Sequence, residues 1–404
     1  MENRPRLNTL EGLRFLATLH LFIFHYGRPF FEDSCLFIKS FFGAGYYSTS
    51  IFFILSGFIL TYVYLDSDGK SLRIKSSCFY LKRIFRLYPF HCLGYCLIIF
   101  PLISGASTHN INLWHSIYNL SLIHAWIPNV DIILSFNRVS WSASALLFFY
   151  LTFPGLIRLT LRWQKSACLK GILILWLLTL LVSLVPAVFF HNDPTATYIF
   201  HFNPLVRLFE FAIGVFAGKL YFLMRKRTTG ARSMILVALL NASACALAPV
   251  ISHVWVLIGM FSLLQVTLIY VLVSNRSFFQ TFFSHPVMRL LGQSSIAFYF
   301  LHGPLFPYLR KGVQLLQVWK WFEPEESLSG LYSSYRSAFA YSELTLTEFF
   351  VIMVLLFCTC ILLNRYVSAF SACLFKNLVE KRSFLHIVLP ECFGLFGKQN
   401  HNSA

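Results

Sequence analysis

The sequence predicts an all-α fold, a polytopic membrane bundle of about ten transmembrane helices. Hydrophobic residues make up 57% of the 404 residues, charged residues make up only 12%, and 45 residues are Phe. The mean hydropathy of +0.65 lies well above the range of soluble domains. In addition, the apolar residues form runs that are long enough to cross a bilayer, for which a helix needs roughly 17 to 25 residues.

The apolar runs cover most of the chain and are separated by short polar segments. They lie near residues 10–27, 46–65, 87–104, 141–158, 171–190, 205–223, 233–251, 253–274, 290–309 and 346–367. A further apolar stretch, Leu113 to Trp126, is shorter and contains His115, Asn119 and His124. The orientation of the neighbouring loops has to decide whether this stretch crosses the membrane.

The distribution of Lys and Arg predicts that orientation. Short loops on the cytoplasmic side of a membrane are enriched in these two residues. If the N-terminus with Arg4 and Arg6 is cytoplasmic, the loops after even-numbered spans are the basic ones, as this rule requires. If residues 113–126 crossed fully, the later basic clusters would face outward. We therefore predict a re-entrant or interfacial segment at this point, and cytoplasmic N- and C-termini.

Composition also argues against several other classes of protein. The net charge of +17 does not indicate nucleic-acid binding, because Lys and Arg lie in short clusters between apolar runs. The 10 Cys are scattered and show neither metal-ligand spacing nor a disulfide framework. We expect no nucleic-acid partner and no metal. We also expect no cleaved signal peptide, because the first apolar run continues into Arg28 and Pro29.

Residues 1–370 are predicted to form one transmembrane domain, and residues 371–404 a cytoplasmic tail. The sequence shows no internal repeat and no soluble region long enough for a second domain. The tail alternates basic and apolar residues, a pattern compatible with a short surface helix or with disorder.

The first apolar run carries ionisable residues where a lipid-facing helix avoids them. Arg14 and His25 share one helical face about three turns apart, or ~16 Å, and Glu11 and Thr18 continue nearly the same stripe. One interpretation is an Arg that extends to the interface and a His that is bonded to a neighbouring carbonyl. The other is a general base, because a neutral imidazole in a dry bundle can accept a proton from an attacking hydroxyl.

A second basic motif lies at the cytoplasmic end of the third span. The segment FYLKRIFRLYP places Arg83 and Arg86 one turn apart. The positive-inside rule alone explains basic residues here. Alternatively, two guanidinium groups on one helical face suit a polyphosphate group that enters from the cytoplasm.

Two segments are typical of close helix packing. IFFILSGFILTY contains Gly57, a small residue of the kind that lets two helix backbones approach each other. RLFEFAIGVFAGKL contains Arg207 and Glu210, whose i, i+3 spacing predicts an ion pair. Gly214 and Gly218 follow at the GxxxG spacing of a packing groove.

Two further segments place aromatic and polar residues at specific depths. WSASALLFFYLTFP opens the fourth span with Trp141 and Ser142 at the outer surface, where Trp commonly belongs to the interfacial belt. SIAFYFLHGPLFP places His302 and Pro304 inside the ninth span. A second intramembrane His makes a polar cavity more plausible than either His does alone.

Taken together and in this order, these six segments resemble the acyltransferase 3 family of integral membrane acyltransferases. The resemblance covers about residues 7–370. Its most specific parts are Arg14 with His25, which match the family's pattern of Arg, ten residues and His, and Arg83 with Arg86, which match its paired-Arg motif. FFILSG, the WS pair, RLFEF and FYFLHGP resemble its weaker signatures.

The resemblance implies an O-acyltransferase of the inner membrane. Such proteins move an acyl group, often acetyl from acetyl-CoA, to a hydroxyl of an extracytoplasmic carbohydrate, such as lipopolysaccharide or another envelope glycan. The implied partners are therefore acyl-CoA, membrane lipid and a carbohydrate or glycolipid acceptor, without a metal. The resemblance also implies a catalytic role for His25 with Arg14 and Glu11, and contacts of Arg83 and Arg86 with the CoA donor.

On this hypothesis, a cavity between spans one, three, six and nine connects the two sides of the reaction. Glu210, His302, Trp141 and Ser142 are the residues we expect near the acceptor or along this cavity. The sequence leaves open whether His25 activates the acceptor hydroxyl directly or carries the acyl group for a time.

Two positions depart from the family's pattern. Glu11 stands where the family often has Asp. Leu146 and Leu147 stand where the family usually has Glu shortly after the WS pair. If that carboxylate orients the His or binds the sugar, Glu210 or Glu11 is the residue we expect to replace it.

Two alternatives remain at this point. A transporter or flippase of a lipid-linked or acylated substrate also needs buried ionisable residues, although the inverted repeat typical of transporters is not evident. A catalytically inactive relative that serves as a scaffold is suggested only by Leu146 and Leu147.

Overall fold

The computed structural model describes residues 7–66, 68–73, 76–103, 112–190, 194–224, 228–249, 259–319 and 343–381. Within these ranges the regular secondary structure is helical, and the extended pairings are the isolated bridges Leu65–Leu72 and Thr229–Asn275. The prediction of an all-α fold is confirmed. Arg4, Arg6 and the tail from residue 382 onward lie outside the described residues.

The first half of the chain begins with a long helix that changes its winding near its end. Helix α1 is followed directly by a π-helical turn, Ile23–Gly27, and by a 3₁₀ turn, Arg28–Phe31. The α-helices of this half are α1 (Asn8–Phe22), α2 (Leu36–Gly43), α3 (Tyr46–Tyr64), α4 (Ser76–Ile103), α5 (Leu113–Leu120), α6 (Val130–Ile133), α7 (Trp141–Thr160) and α8 (Lys165–Phe189).

The second half continues with long helices separated by short ones. Its α-helices are α9 (Pro194–Phe202), α10 (Pro204–Met224), α11 (Ala231–Leu247), α12 (Ser262–Ser274), α13 (Phe278–Phe283), α14 (Pro286–Gln293), α15 (Ser295–Trp319) and α16 (Leu346–Lys381). Helix α16 continues past residue 370, so the predicted start of the tail at residue 371 falls inside a helix.

Each predicted apolar run contains a helix, and several of these helices have the properties of membrane spans. Within the described ranges, four are long and apolar enough to cross a bilayer: Tyr46–Tyr64, Trp141–Thr160, Lys165–Pro186 and Leu346–Phe375. Helix α8 exposes Leu177 and Leu181 to the surroundings, as a lipid-facing helix does. The protein is therefore a membrane protein, while the count of ten spans and the orientation stay predictions.

The segment that the sequence left undecided consists of short pieces. Helix α5 has 8 residues, so it is about 12 Å long and too short to cross a hydrocarbon core of about 30 Å. A 3₁₀ turn, His124–Trp126, and the short helix α6 follow it. Residues 113–126 thus do not cross as one helix, in agreement with the predicted re-entrant or interfacial segment.

Helix α1 lies at the centre of the bundle, where it contacts α3, α12, α13, α14 and α15. Of the polar stripe on this helix, Thr18 is buried and Glu11 and Arg14 are partly buried. One close approach fixes its position: a Cβ atom on Gly292 of α14 would overlap the backbone of Glu11.

The most extensive contact between two helices is that of α3 with α10. Gly57 and Gly214 lie where the two backbones meet. A Cβ atom on Gly57 would overlap the carbonyl oxygen of Phe211, and a Cβ atom on Gly214 would overlap that of Ile54. This explains the small residues of both motifs and confirms their interpretation as a packing site.

We expect Gly214→Ala to destabilise the protein by about 1 to 3 kcal/mol, because the added methyl group forces α3 and α10 apart. The matched control is Gly155→Ala in α7, where a Cβ would meet no atom within 4 Å. Thermal unfolding of both variants in detergent measures the difference. Equal unfolding temperatures of the two variants would contradict the close approach of α3 and α10.

Candidate active site

His25 lies in the π-helical turn at residues 23–27. The predicted common face of Arg14 and His25 assumed regular α-helical geometry, whereas His25 lies just beyond the end of α1, within a turn of wider winding. Such turns are frequent at functional sites. The surface of His25 is exposed, so the protein does not fully enclose this residue.

His302 of α15 is the neighbour of His25. The centroids of the two imidazole rings are 5.3 Å apart, and their planes are tilted by 33°. His302 is only 2% exposed. The ring of Tyr26, the residue after His25, stacks on Phe306 at 3.7 Å. These contacts join the π turn to the ninth predicted span and bring together the two intramembrane His of the sequence prediction.

The surroundings of His302 determine which of its ring nitrogens carries the hydrogen. Nδ1 lies 2.8 Å from the carbonyl oxygen of Tyr299 and 3.1 Å from that of Phe298. Since both partners are acceptors, Nδ1 must be the donor. In the neutral ring, Nε2 then has a free lone pair and is able to accept a proton or a hydrogen bond.

A charged cluster surrounds the beginning of α1. Arg14 Nη1 donates to both carboxylate oxygens of Glu11 at 3.1 Å. The charges of Arg14, Glu11 and Arg83 all act on Arg86, which places these residues in one region. The side chain of Arg86 is exposed. The predicted donor-side residues are therefore gathered together, with one carboxylate among three guanidinium groups.

The two Arg of the paired-Arg motif have different environments. Arg83 lies among three aromatic rings, with its guanidinium carbon 5.4 Å from the centroid of Tyr64, 5.5 Å from that of Phe79 and 5.9 Å from that of Tyr150. Its Nη2 donates to the Tyr64 hydroxyl at 2.7 Å. Such cation–π contacts hold the side chain in place. Of the two, Arg86 is the more accessible to a ligand.

A third polar group is buried between α3 and α10. Arg207 and Glu210 form the predicted ion pair at 3.0 Å, with side chains that are 6% and 1% exposed. The Ser50 hydroxyl donates to Glu210 Oε1 at 2.6 Å, and Arg207 lies over the ring of Phe53. A cavity of about 20 Å³ borders Arg207, Glu210 and His201, which is enough space for one water molecule.

Trp141 and Ser142 belong to the interior of the bundle. Trp141 is 6% exposed and packs against the rings of Phe53 and Phe202, at centroid distances of 5.9 and 4.9 Å. Its interpretation as an interfacial belt residue is therefore wrong. Ser142 donates to the carbonyl oxygen of Val139 at 2.8 Å.

Tyr299 is a residue of this region that the sequence analysis did not single out. It interacts with the hydroxyl side chains of Ser142 and Thr49 and with the charge of Arg207. Its ring is 6.2 Å from that of His302, one helical turn further along α15. Tyr299 thus connects the buried ion pair to the His pair. Its position within the motif SIAFYFLHGP is the sequence feature that could have identified it.

The two residues expected to replace the missing family carboxylate, Glu11 and Glu210, do not contact His25 in the described structure. Leu146 and Leu147 pack against the hydrophobic core. Glu11 is paired with Arg14, and Glu210 with Arg207. Among the described contacts, neither carboxylate reaches His25, whose neighbour is His302 instead. In the described part of the chain, no group of three or more His, Cys, Asp or Glu could hold a metal ion.

A pair of neighbouring His and a cationic cluster form an arrangement suited to group transfer, and comparisons with known proteins agree with it. Acyltransferase MdmB of Streptomyces mycarofaciens is 29% identical over 340 residues, which cover 77% of this chain and 81% of MdmB. Peptidoglycan O-acetyltransferase OatA of Listeria monocytogenes is 23% identical over 349 residues. That alignment covers 79% of this chain but only 52% of OatA, so the chain spans about half the length of that relative.

The comparison with protein families covers more of the chain than the comparison with individual relatives does. No solved structure matches the chain significantly. The acyltransferase domain of the acyltransferase 3 family, however, matches residues 7–365, which include all the site residues described above. The protein therefore belongs to the acyltransferase 3 family and is a membrane acyltransferase.

Proposed function

We propose that this protein transfers an acyl group, most simply acetyl, from cytoplasmic acyl-CoA to a hydroxyl of a carbohydrate on the outer side of the inner membrane. The observation that carries the proposal is the exposed His25 beside His302, in the π turn that follows α1, while Arg14 of the same α1 lies in one cationic cluster with Arg86 of α4. The name of OatA supports an envelope glycan as the acceptor. Peptidoglycan thus joins lipopolysaccharide among the acceptors to be tested.

The cationic cluster fits a polyanionic donor. Three guanidinium groups and one carboxylate leave an excess of positive charge around the exposed Arg86, and guanidinium groups bind phosphate through charge-assisted hydrogen bonds. Arg86 would contact the phosphates of acyl-CoA, with Arg14 held in position by Glu11. The acyl-CoA supplies the acyl group, and CoA leaves as the free thiol.

The proposed reaction uses His25 as a general base. Its imidazole accepts the proton of the acceptor hydroxyl while the hydroxyl oxygen forms a bond to the acyl carbon. The carbon–sulfur bond breaks, and the proton passes from His25 to the departing sulfur. His302, with its Nε2 lone pair free, can accept a hydrogen bond from His25 or from the acceptor and so orient the reacting groups.

The different environments of Arg83 and Arg86 lead to a prediction about donor binding. We expect Arg86→Met to weaken acyl-CoA binding by about tenfold to a hundredfold, the usual effect of losing a charge-assisted hydrogen bond. Arg83→Met serves as the matched variant, and we expect it to lower thermal stability more than donor affinity, because Arg83 packs on aromatic rings. Binding of labelled acetyl-CoA to protein in nanodiscs measures both effects. Unchanged binding by Arg86→Met would contradict its role as a donor contact.

The function itself is tested with purified protein in lipid nanodiscs. Isotopically labelled acetyl-CoA is supplied together with peptidoglycan or lipopolysaccharide fragments, and the products are analysed by mass spectrometry. We expect thioester consumption that depends on the saccharide, and a saccharide that gains the mass of one acetyl group. If neither occurs, and the same protein in liposomes moves a lipid-linked saccharide without consuming acetyl-CoA, the protein is a transporter.

A further inference from the structure

Arg138 is a cation near the proposed site that the reaction described above does not use. It lies on the segment between α6 and α7, and its side chain is exposed. The ion pairs among the residues that the structure describes involve other cations. Its guanidinium group is therefore accessible to a ligand.

The segment that carries Arg138 is held firmly by its neighbours. Asn137 is buried and donates from Nδ2 to the carbonyl oxygen of Phe300 in α15 at 2.8 Å. The carbonyl oxygen of Asn137 accepts from the backbone N–H of Ser140 at 2.8 Å. Ser140 Oγ in turn accepts from Asn119 of α5 at 3.2 Å. The backbone on both sides of Arg138 is thus held in place, which defines the position of this segment relative to α15.

The same segment borders the π turn. A Cβ atom built on Gly303 would lie 3.4 Å from Asn137 Oδ1 and 4.0 Å from the Tyr26 hydroxyl. The residues that adjoin Arg138 and His25 in the sequence therefore meet beside Gly303, directly after His302. In agreement with this geometry, Arg138 lies close enough for its charge to act on His25.

A cation at this place has a physical consequence. It repels the positive charge that forms on His25 when the imidazole accepts a proton. A negative group bound near Arg138 would remove this repulsion. The planar guanidinium fork is well matched to carboxylates and phosphates, which it binds through paired hydrogen bonds.

We propose that Arg138 binds a carboxylate or phosphate group of the acceptor, so that the enzyme selects acidic glycans and orients their hydroxyl toward His25. This inference rests on the proposed function and adds the chemical class of the acceptor to it. Arg138 is then a specificity-determining residue at the acceptor side, in contrast to Arg86 at the donor side.

The test uses pairs of acceptors that differ by one charge. The first pair is a peptidoglycan glycan fragment with its free lactyl carboxylate and the same fragment with that carboxylate converted to the amide. The second pair is a saccharide with and without a phosphate group. Arg138→Gln is expected to raise KM for the acidic member of at least one pair by about tenfold or more. KM for the neutral members and kcat should change by less than about twofold, and Arg138→Lys should retain part of the affinity.

The control is Arg28→Gln, which removes a different exposed cation whose partner is Glu32. It should leave KM for all four acceptors unchanged, and binding of acetyl-CoA verifies that each variant is folded. An equal loss for acidic and neutral acceptors, or no loss at all, would overturn the inference.

Equilibrium dialysis of the same fragments against unmodified protein and Arg138→Gln separates this inference from the proposed function. Absence of acyl transfer by the unmodified protein contradicts the function. Binding that does not depend on the acidic group, or that Arg138→Gln does not weaken, contradicts the role of Arg138.

Discussion

Replacing His25 with alanine is expected to lower kcat for acyl transfer by about 10²- to 10⁴-fold, the usual contribution of a positioned general base. The methyl group of alanine cannot accept the proton of the acceptor hydroxyl, while the cationic cluster around Arg86 stays intact. We therefore expect the affinity for acetyl-CoA to change little. Rates of transfer from labelled acetyl-CoA to the glycan, together with donor binding, give the two quantities.

Two further His variants make this result interpretable. His115→Gln removes a half-exposed His of α5 and should leave the rate unchanged. His302→Asn keeps a side-chain donor at the δ position for the carbonyl oxygens of Phe298 and Tyr299 but removes the lone pair at Nε2. It should lower the rate less than His25→Ala. Transfer by folded His25→Ala at the rate of the unmodified protein would rule out His25 as the base.

The parts of the structure that the sequence predicted correctly depend on local patterns. Apolar runs mark the helices because each is a continuous stretch of the chain. The ion pair of Arg207 and Glu210 follows from its i, i+3 spacing within one helix. Gly57 and Gly214 mark a close helix contact because only a residue without a Cβ fits there.

The parts that the sequence did not predict depend on contacts between distant segments. No residue pattern indicated the π turn that carries His25. The rings around Arg83 come from three separate helices, so the motif alone could not show that one of its two Arg is held in place. For the same reason, the sequence suggested a polar cavity from His25 and His302 but could not show that the two rings are neighbours.

The absent carboxylate after the WS pair has a similar explanation. A carboxylate can replace another one only if the fold brings it to the same place, and charge alone does not determine that. Glu11 and Glu210 are both ionisable, and both belong to sequence motifs that contain candidate site residues. Each, however, is paired with an Arg of its own helix. His302 is the residue that the fold places beside His25.

The second large effect is a loss of stability, which we expect when Glu210 is replaced. Glu210→Gln should lower the free energy of unfolding by about 3 to 5 kcal/mol, because it leaves Arg207 as an uncompensated charge in the interior. The side chain of Gln is close in size to that of Glu and can still accept a hydrogen bond from Ser50. The loss would therefore come from the charge and not from a cavity. Chemical denaturation in detergent micelles measures it.

A double variant distinguishes a lost charge partner from general disruption. Arg207→Met combined with Glu210→Leu removes both charges, so it should be less destabilised than Glu210→Gln alone, a coupling that independent sites would not show. Unchanged stability of Glu210→Gln would mean that Arg207 finds enough solvation without its partner. The cavity that borders the pair has a volume of about 20 Å³. One water molecule there replaces little of the hydration that a guanidinium group has in bulk water, so the carboxylate of Glu210 is needed to keep Arg207 buried next to the site.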